Sequence, residues 1–408
     1  MTDTVRAALR WLLSQACPAP GGLAWGSGPC LYDGTAGVVL FLLEAADHLG
    51  DEQALDAARA GCGSLVVALN EPGGVGGDGL YTGTAGVAFA LGQAAIRTGG
   101  DRWGEVARGA TAGLERWTPV TDIVSGTAGI GLFLLWAARE LAVPDALARA
   151  TDAGHQLLAA AHRAEGGLAW TKQPGADPVL PNFSHGTAGV AFFLASLAVA
   201  TGDGCFLAAA QAGAGHLLAL ADTSNGGCLV PRRQGSPLSY LGWCHGPPGT
   251  GRVFYRLWEA TGDASWLTWF ERTGRSLLAA GIPKQAAPGL WNNRGQCCGH
   301  AGVGEYALAL HRVTGDVAYL DLAAALTAEI VATSVPAGDG NGTPDGDGGG
   351  MAWPDAVHRV DPEAVGFLPG YMQGAAGIGA WLLHHHAVLH GPPQPAPLVL
   401  PDSPFGRP

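Results

Sequence analysis

Apolar positions along the chain gather into long runs and do not alternate as strands would. Runs such as V-V-L-F-L-L-E-A-A and V-A-F-F-L-A-S-L-A exceed strand length and are apolar on every side. That is the pattern of a helix buried all round. Between the runs lie more amphipathic segments, for example Asp51 to Leu69 and Leu320 to Thr333, each suited to an outer helix. Val5, Leu9, Leu12 and Leu13 also fall at helical spacing, with Arg6 and Arg10 among them. The first segment therefore reads as an amphipathic helix, not an export signal.

The apolar runs share one punctuation mark. A G-x-x-G element recurs seven times, beginning at Gly34, Gly83, Gly126, Gly186, Gly246, Gly299 and Gly374, with spacings of 49, 43, 60, 60, 53 and 75 residues. Each period holds one inner and one outer helix, and such hairpins need neighbours to bury their faces. The pattern predicts an all-α fold, an (α/α) toroid of seven helical hairpins, with the glycines opening the inner helices where backbones converge. An open solenoid is the structural alternative; the ring is preferred because nearly all the inner runs lack a solvated face. In a ring, the residues before each G-x-x-G meet at one end, where seven helix N-termini favour thiolates and oxyanions.

Composition narrows the setting. Across 408 residues the hydrophobic fraction is 48%, the mean hydropathy +0.18 and the net charge −12, with two lysines, Lys172 and Lys284. A large core is possible, and a nucleic-acid or anionic-membrane surface is not expected. No uncharged apolar stretch is long enough to span a bilayer. With no signal sequence expected, the eight cysteines are read as reduced thiols in a cytoplasmic protein. The expected organisation is one domain over residues 1–390, with a flexible Gly/Asp-rich insertion at about 336–350 and a Pro-rich, extended tail over 391–408. The insertion resembles a calcium loop but lacks the terminal Glu of an EF-hand; it can overhang the basin as a lid.

The fifth and sixth repeats carry the chemistry. They read G-W-C-H-G-P-P-G and Q-C-C-G-H-A-G, placing Cys244, Cys297 and Cys298 in equivalent positions just before adjacent inner helices. Three thiolates supply three corners of a tetrahedron and leave the fourth open, as in a catalytic zinc site. His245 and His300 are rival ligands, or groups that orient a ligand or carry a proton. Cys17, Cys30, Cys62, Cys205 and Cys228 lack such partners and read as inert. The run His384-His385-His386 reads as structural, because contiguous helix residues point to different faces.

With W-C-H-G, Q-C-C-G and P-G-Y-M-Q-G-A-A-G-I-G in place, the sequence resembles the lanthionine synthetase C-like (LanC-like) family from about Tyr32 to His386. The resemblance implies an (α/α) toroid holding one zinc ion. It also implies addition of a cysteine thiol to dehydroalanine or dehydrobutyrine in a dehydrated precursor peptide, forming a (methyl)lanthionine thioether. Dehydration would then fall to a separate dehydratase or kinase/lyase protein. By resemblance the ligands are Cys244, Cys297 and Cys298, a three-cysteine variant of the usual Cys-Cys-His set. His185, in S-H-G-T-A-G, maps to the acid/base histidine, and Asp122, in D-I-V-S-G, to a catalytic aspartate that otherwise reads as a helix cap. Two departures stand out: His245 replaces a tyrosine that often follows the first cysteine, and Tyr240 and Leu241 lie where an arginine is often found. His185 is the first candidate to protonate the enolate and His245 the second.

Three other readings use the same residues differently. The zinc site can serve an intermolecular transferase that joins a thiol such as glutathione to a dehydro residue. The ring can be a non-catalytic peptide-binding scaffold in a modification complex. A metal-free glycoside hydrolase would need paired carboxylates, for which the basin offers mainly Asp33 and Asp122.

Overall fold

The computed structural model describes residues 1–406 apart from 115–117, 174, 176–179, 289, 291–292, 338–349, 359–360 and 392–395. Most of the Gly/Asp-rich insertion therefore lies outside the described residues. Seven inner helices follow the seven G-x-x-G elements: α2 (Thr35–Leu49), α4 (Thr84–Thr98), α6 (Thr127–Glu140), α8 (Thr187–Thr201), α10 (Pro247–Thr261), α12 (His300–Thr314) and α14 (Ala375–His390). The outer layer is α1 (Thr2–Ser14), α3 (Glu52–Asn70), α5 (Asp101–Gly113), α7 (Ala146–Ala160), α9 (Gly204–Leu220), α11 (Ala264–Ala279) and α13 (Ala318–Ala332).

Each inner helix packs on the next, and α14 packs on both α2 and α1, which closes the toroid. The amphipathic segment at the start of the chain thus supplies the outer partner of the last inner helix. In α8 the buried residues run without a break from Thr187 to Ala198, so no face meets water. Burying a side chain such as Phe192 or Phe193 contributes about 1.5–3 kcal/mol.

Local chemistry sets the hairpins. After α8, Gly202 takes a left-handed φ of 73°, and the Asp203 side chain then accepts from the Cys205 amide to start α9. The same Gly-Asp step turns α2 into α3 and α10 into α11. At the opposite end the glycines serve close approach. A Cβ on Gly86 would lie 2.1 Å from the Leu80 carbonyl oxygen and 3.0 Å from Leu31 Cβ of the preceding repeat.

Three short antiparallel hairpins, β1 (Cys17–Ala19) with β2 (Gly22–Ala24), β3 (His162–Ala164) with β4 (Gly167–Ala169), and β5 (Val335–Ala337) with β6 (Gly350–Ala352), pack beside outer helices. Each runs into a buried tryptophan, Trp25, Trp170 or Trp353, whose indole donates to a carbonyl of α1, α7 or α13 at 2.7 Å. A fourth hairpin pairs β7 (Pro354–His358) with β8 (Asp361–Phe367) ahead of the seventh repeat.

A belt of backbone hydrogen bonds joins the turns before the inner helices. The residues two positions before the first glycine are Tyr32, Tyr81, Val124, Ser184, Cys244, Cys297 and Met372. Tyr32 N donates to Tyr81 O, Tyr81 N to Val124 O, Ser184 N to Cys244 O, Cys244 N to Cys297 O, Cys297 N to Met372 O and Met372 N to Tyr32 O, at 2.8–3.2 Å. The Met372–Tyr32 link joins the last repeat to the first. Tyr32, Tyr81, Cys244, Cys297 and Met372 are thus placed by main-chain bonds on both sides, and Val124 and Ser184 by such a bond on one side.

Residues 396–406 form an extended strap that packs back into the ring. Leu398 and Asp402 are buried, the Leu398 amide donates to Glu44, and Arg312 donates to the Phe405 carbonyl. Among the described residues, no helix is long and apolar enough to cross a membrane.

Candidate functional site

The belt delivers the three cysteines to one point. Cys244 and Cys297 occupy the same register position on adjacent repeats, and Cys298 is the next residue. The sulfur of Cys298 lies 3.4 Å from that of Cys244 and 3.3 Å from that of Cys297, all three being buried. Hydrogen bonds to the Cys244 and Cys298 thiols, reinforced by burial, push the Cys297 thiol well above its ordinary pKa. Three ionised thiols cannot share this space without a cation.

The donor set fits zinc. Zn–S bonds of about 2.3 Å at a tetrahedral angle place sulfurs about 3.8 Å apart. The two separations from Cys298 sit slightly inside that spacing, and all three sulfurs lie within 4.8 Å of one another. Among the described residues they are the one group of three His, Cys, Asp or Glu side chains whose ligand atoms converge to within 4.8 Å. Neither rival histidine joins it. His300 is the first residue of α12, and burial, with Arg294 nearby, pushes its pKa down to about 4.

His185 and Asp122 come together as the second component. Asp122 is fully buried, and its Oδ2 lies 2.7 Å from His185 Nδ1. Its Oδ1 accepts from the Ser125 amide at 2.8 Å, so the carboxylate caps its own turn while it holds the histidine. With Nδ1 engaged, His185 Nε2 is the nitrogen available for chemistry. The His185 and His245 ring centroids are 6.3 Å apart.

These groups open on a cavity of about 300 Å³ lined by Tyr32, Thr82, Ser184, His185, Cys244, His245 and Cys297, among others. A space of that volume holds a group the size of a side chain and not a folded partner. A larger cavity of about 800 Å³ at the other end of the ring has no cysteine or histidine in its lining.

The helix N-termini contribute differently from the sequence-based expectation. Their first amides are largely taken by loop carbonyls: Thr187 N donates to Leu180 O and Ala188 N to Pro181 O, while α10 begins with Pro247 and Pro248, which have no N–H. The seven termini therefore act through their dipoles and not as a nest of open donors.

Tyr32 is the site residue that sequence reasoning missed. Its hydroxyl faces the Cys297 thiol, and burial followed by the Cys297, Cys298 and Cys244 thiols raises its pKa, keeping the phenol protonated. The available signal was its register, since Tyr32 stands where Cys244 and Cys297 stand. Asp33 accepts from the Cys30 thiol at 2.9 Å, and burial, followed by that contact, raises the Cys30 pKa to about 11.

Comparison with known proteins agrees with this architecture. Residues 27–352 match the family model described as lanthionine synthetase C-like protein. Among solved structures, a nisin cyclase is similar over 95% of this chain and 93% of its own, at 16% identity and a TM-score of 0.66. The Lin0763 protein from Listeria innocua is similar over 73% of this chain and 82% of its own, at 13% identity and a TM-score of 0.50. No curated protein matches the sequence significantly.

Proposed function

The chain belongs to the lanthionine synthetase C-like family, and from that premise we propose that it is a zinc-dependent cyclase, closing thioether rings in a dehydrated ribosomal peptide. The observation that carries the reading is the meeting of three buried thiols and an aspartate–histidine pair at one cavity. Cys244, Cys297 and Cys298 would hold the ion, leaving a fourth position for the substrate sulfur. Zinc in that place supplies thiol deprotonation near neutral pH, against a free value of about 8.5.

The chain's own residues manage the rest. The substrate thiolate adds to the β-carbon of dehydroalanine or dehydrobutyrine, the double-bond electrons move onto the α-carbon and its carbonyl, and the α-carbon takes a proton. With Asp122 holding Nδ1–H, His185 Nε2 takes up the proton that the substrate thiol releases and then delivers it to the α-carbon. His245 exchanges protons with the cavity as the second donor. Tyr32 donates toward Cys297 and limits its basicity, so that the substrate sulfur remains the better nucleophile. Separate proteins would dehydrate the precursor.

Ring closure leaves the peptide mass unchanged and removes one free thiol per ring. The test incubates the zinc-loaded protein with a dehydrated peptide carrying its own cysteine and counts alkylatable thiols by mass spectrometry. Loss of thiols with wild type, and not with a zinc-depleted Cys298→Ala variant, is expected. Thiols that persist beside about one zinc per chain overturn the cyclase reading. A mass gain on added glutathione, with the internal cysteine still free, replaces it with an intermolecular thiol transferase.

A further inference from the structure

The 396–406 strap enters the ring from the end opposite the thiols. Arg97, in the last turn of α4, donates to the Ala396 carbonyl at 2.7 Å, and Arg312, in the last turn of α12, donates to the Phe405 carbonyl at 2.8 Å. Between these anchors the chain dips inward, and Asp402 reaches zero exposure. Its Oδ2 accepts from the Trp243 indole Nε1 at 2.9 Å and from Arg252 Nη1 at 2.9 Å. The same guanidinium nitrogen also donates to the Asp402 main-chain carbonyl at 2.8 Å.

We infer that Asp402 is a positioning residue for the thiol centre: it fixes Trp243, and through Trp243 the main chain of Cys244. The inference rests on the reading of Cys244 as a zinc ligand. Trp243 is buried, with Tyr81 edge-on at 5.1 Å and Phe183 at 5.6 Å between ring centroids. Those aromatic faces hold the ring by packing but leave its N–H in need of an acceptor. Asp402 provides one, and as a carboxylate it does so through a charge-assisted bond. Arg252 neutralises that charge, and its guanidinium lies 5.5 Å from the centroid of the same Phe183 ring. The group closes on itself: Asp402 holds Trp243 and Arg252, and both touch Phe183.

Two observations connect this group to the site. Trp243 lines the cavity beside Cys244 and His185. The peptide joining Trp243 to Cys244 is clamped further on, because Cys244 N donates to Cys297 O and Cys244 O accepts from Ser184 N. A tilt of the indole is therefore passed to the Cys244 sulfur and is not absorbed by a slack loop. Asp402 touches no sulfur and no substrate; it acts through the ring it holds.

The test uses full-length, zinc-loaded protein as wild type, Asp402→Ala, Asp402→Asn, Trp243→Phe and the double variant D402A/W243F. Zinc release to a chromogenic chelator is timed, and the thiolate-to-metal charge-transfer band is recorded after cobalt replacement. D402A and W243F should each speed release by about tenfold, the scale seen when support behind a ligand is lost, and should shift the cobalt band. The double variant should be no faster than the faster single one, since both changes cut the same link. D402N keeps the volume and an acceptor for the indole and removes only the charge, so its release rate should fall between those of wild type and D402A; W243F decides the matter if D402A does not fold. Wild-type release rates and an unchanged cobalt band in D402A or W243F overturn the inference, as does additivity in the double variant. A wild type that binds no zinc overturns the metal reading and this inference with it, whereas zinc-replete wild type beside indifferent Asp402 variants overturns the inference alone.

Discussion

Replacing Asp122 by asparagine tests the proton-transfer half of the proposed mechanism. The carboxylate is fully buried, with Oδ2 at 2.7 Å from His185 Nδ1 and Oδ1 at 2.8 Å from the Ser125 amide. Asparagine keeps the volume and an acceptor for the Ser125 amide, so the turn before α6 survives. It offers no anion to the histidine. A hydrogen bond to a charged group contributes about 1.5–3 kcal/mol, which at 1.4 kcal/mol per decade slows ring closure by about 10- to 150-fold. The assay is single-turnover loss of free thiols from a dehydrated peptide, with zinc content and thermal midpoint measured alongside. If Asp122 acts through His185, the double variant D122N/H185Q is no slower than H185Q. A D122N rate within about twofold of wild type, or full additivity in the double variant, would falsify the pairing and leave Asp122 as a helix cap.

Other consequences follow from single contacts. Tyr32→Phe removes the hydroxyl facing Cys297 and should slow ring closure about five- to tenfold with zinc content unchanged, checked by the same thiol count beside metal analysis. Gly86→Ala puts a Cβ 2.1 Å from a main-chain oxygen that cannot yield, and should cost at least about 2 kcal/mol in urea unfolding. Gly109→Ala, on the exposed face of α5 with nothing within 4 Å, should instead stabilise by about 0.5–1 kcal/mol. His384 is buried with Nε2 at 2.9 Å from Glu44 and Nδ1 at 2.6 Å from Glu305; burial lowers its pKa, but Glu305 and Glu44 outweigh that and raise it well above 6.5. A raised folded-state pKa gives stability that is full below the unfolded value near 6.5 and is lost as pH climbs through the folded one. The stability difference between wild type and His384→Gln should therefore be largest in mild acid and shrink with alkali, and a difference that grows with pH would refute the assignment.

Much of the ring was legible because its signals are local. Runs without a polar face identify buried helices, and seven G-x-x-G elements mark their starts. The Gly-Asp step between inner and outer helices and the tryptophan after each of three short hairpins were equally present in the sequence, but their meaning depends on partners far along the chain. Trp25 signals an outer helix only because its indole reaches Leu12 as Trp353 reaches Ile330. The strap was legible only as Pro-rich and extended, since a segment without periodicity carries no record of the surface it docks on. Asp402 pairs with Trp243 across 159 residues, a contact that exists only once the ring has closed.

The site divides along the same line, and register explains the division. Reactive side chains lie one and two positions before the first glycine, where main-chain bonds from neighbouring repeats set the Cα positions before any side chain is chosen. Cysteine or histidine at those positions announces chemistry, so Cys244, Cys297, Cys298, His185 and His245 stand out by residue type. Tyrosine there passes for core, so Tyr32 did not. Asp122 stands four residues ahead of its glycine and reaches His185 because the turn between doubles back on the Ser125 amide. A toroid of this kind thus separates scaffold from reactivity: the belt fixes where groups stand, and the residue at each of its seven positions decides what the basin can do. Exchanging one belt residue should alter the chemistry with little change in fold, whereas filling one of the glycine contacts should do the reverse.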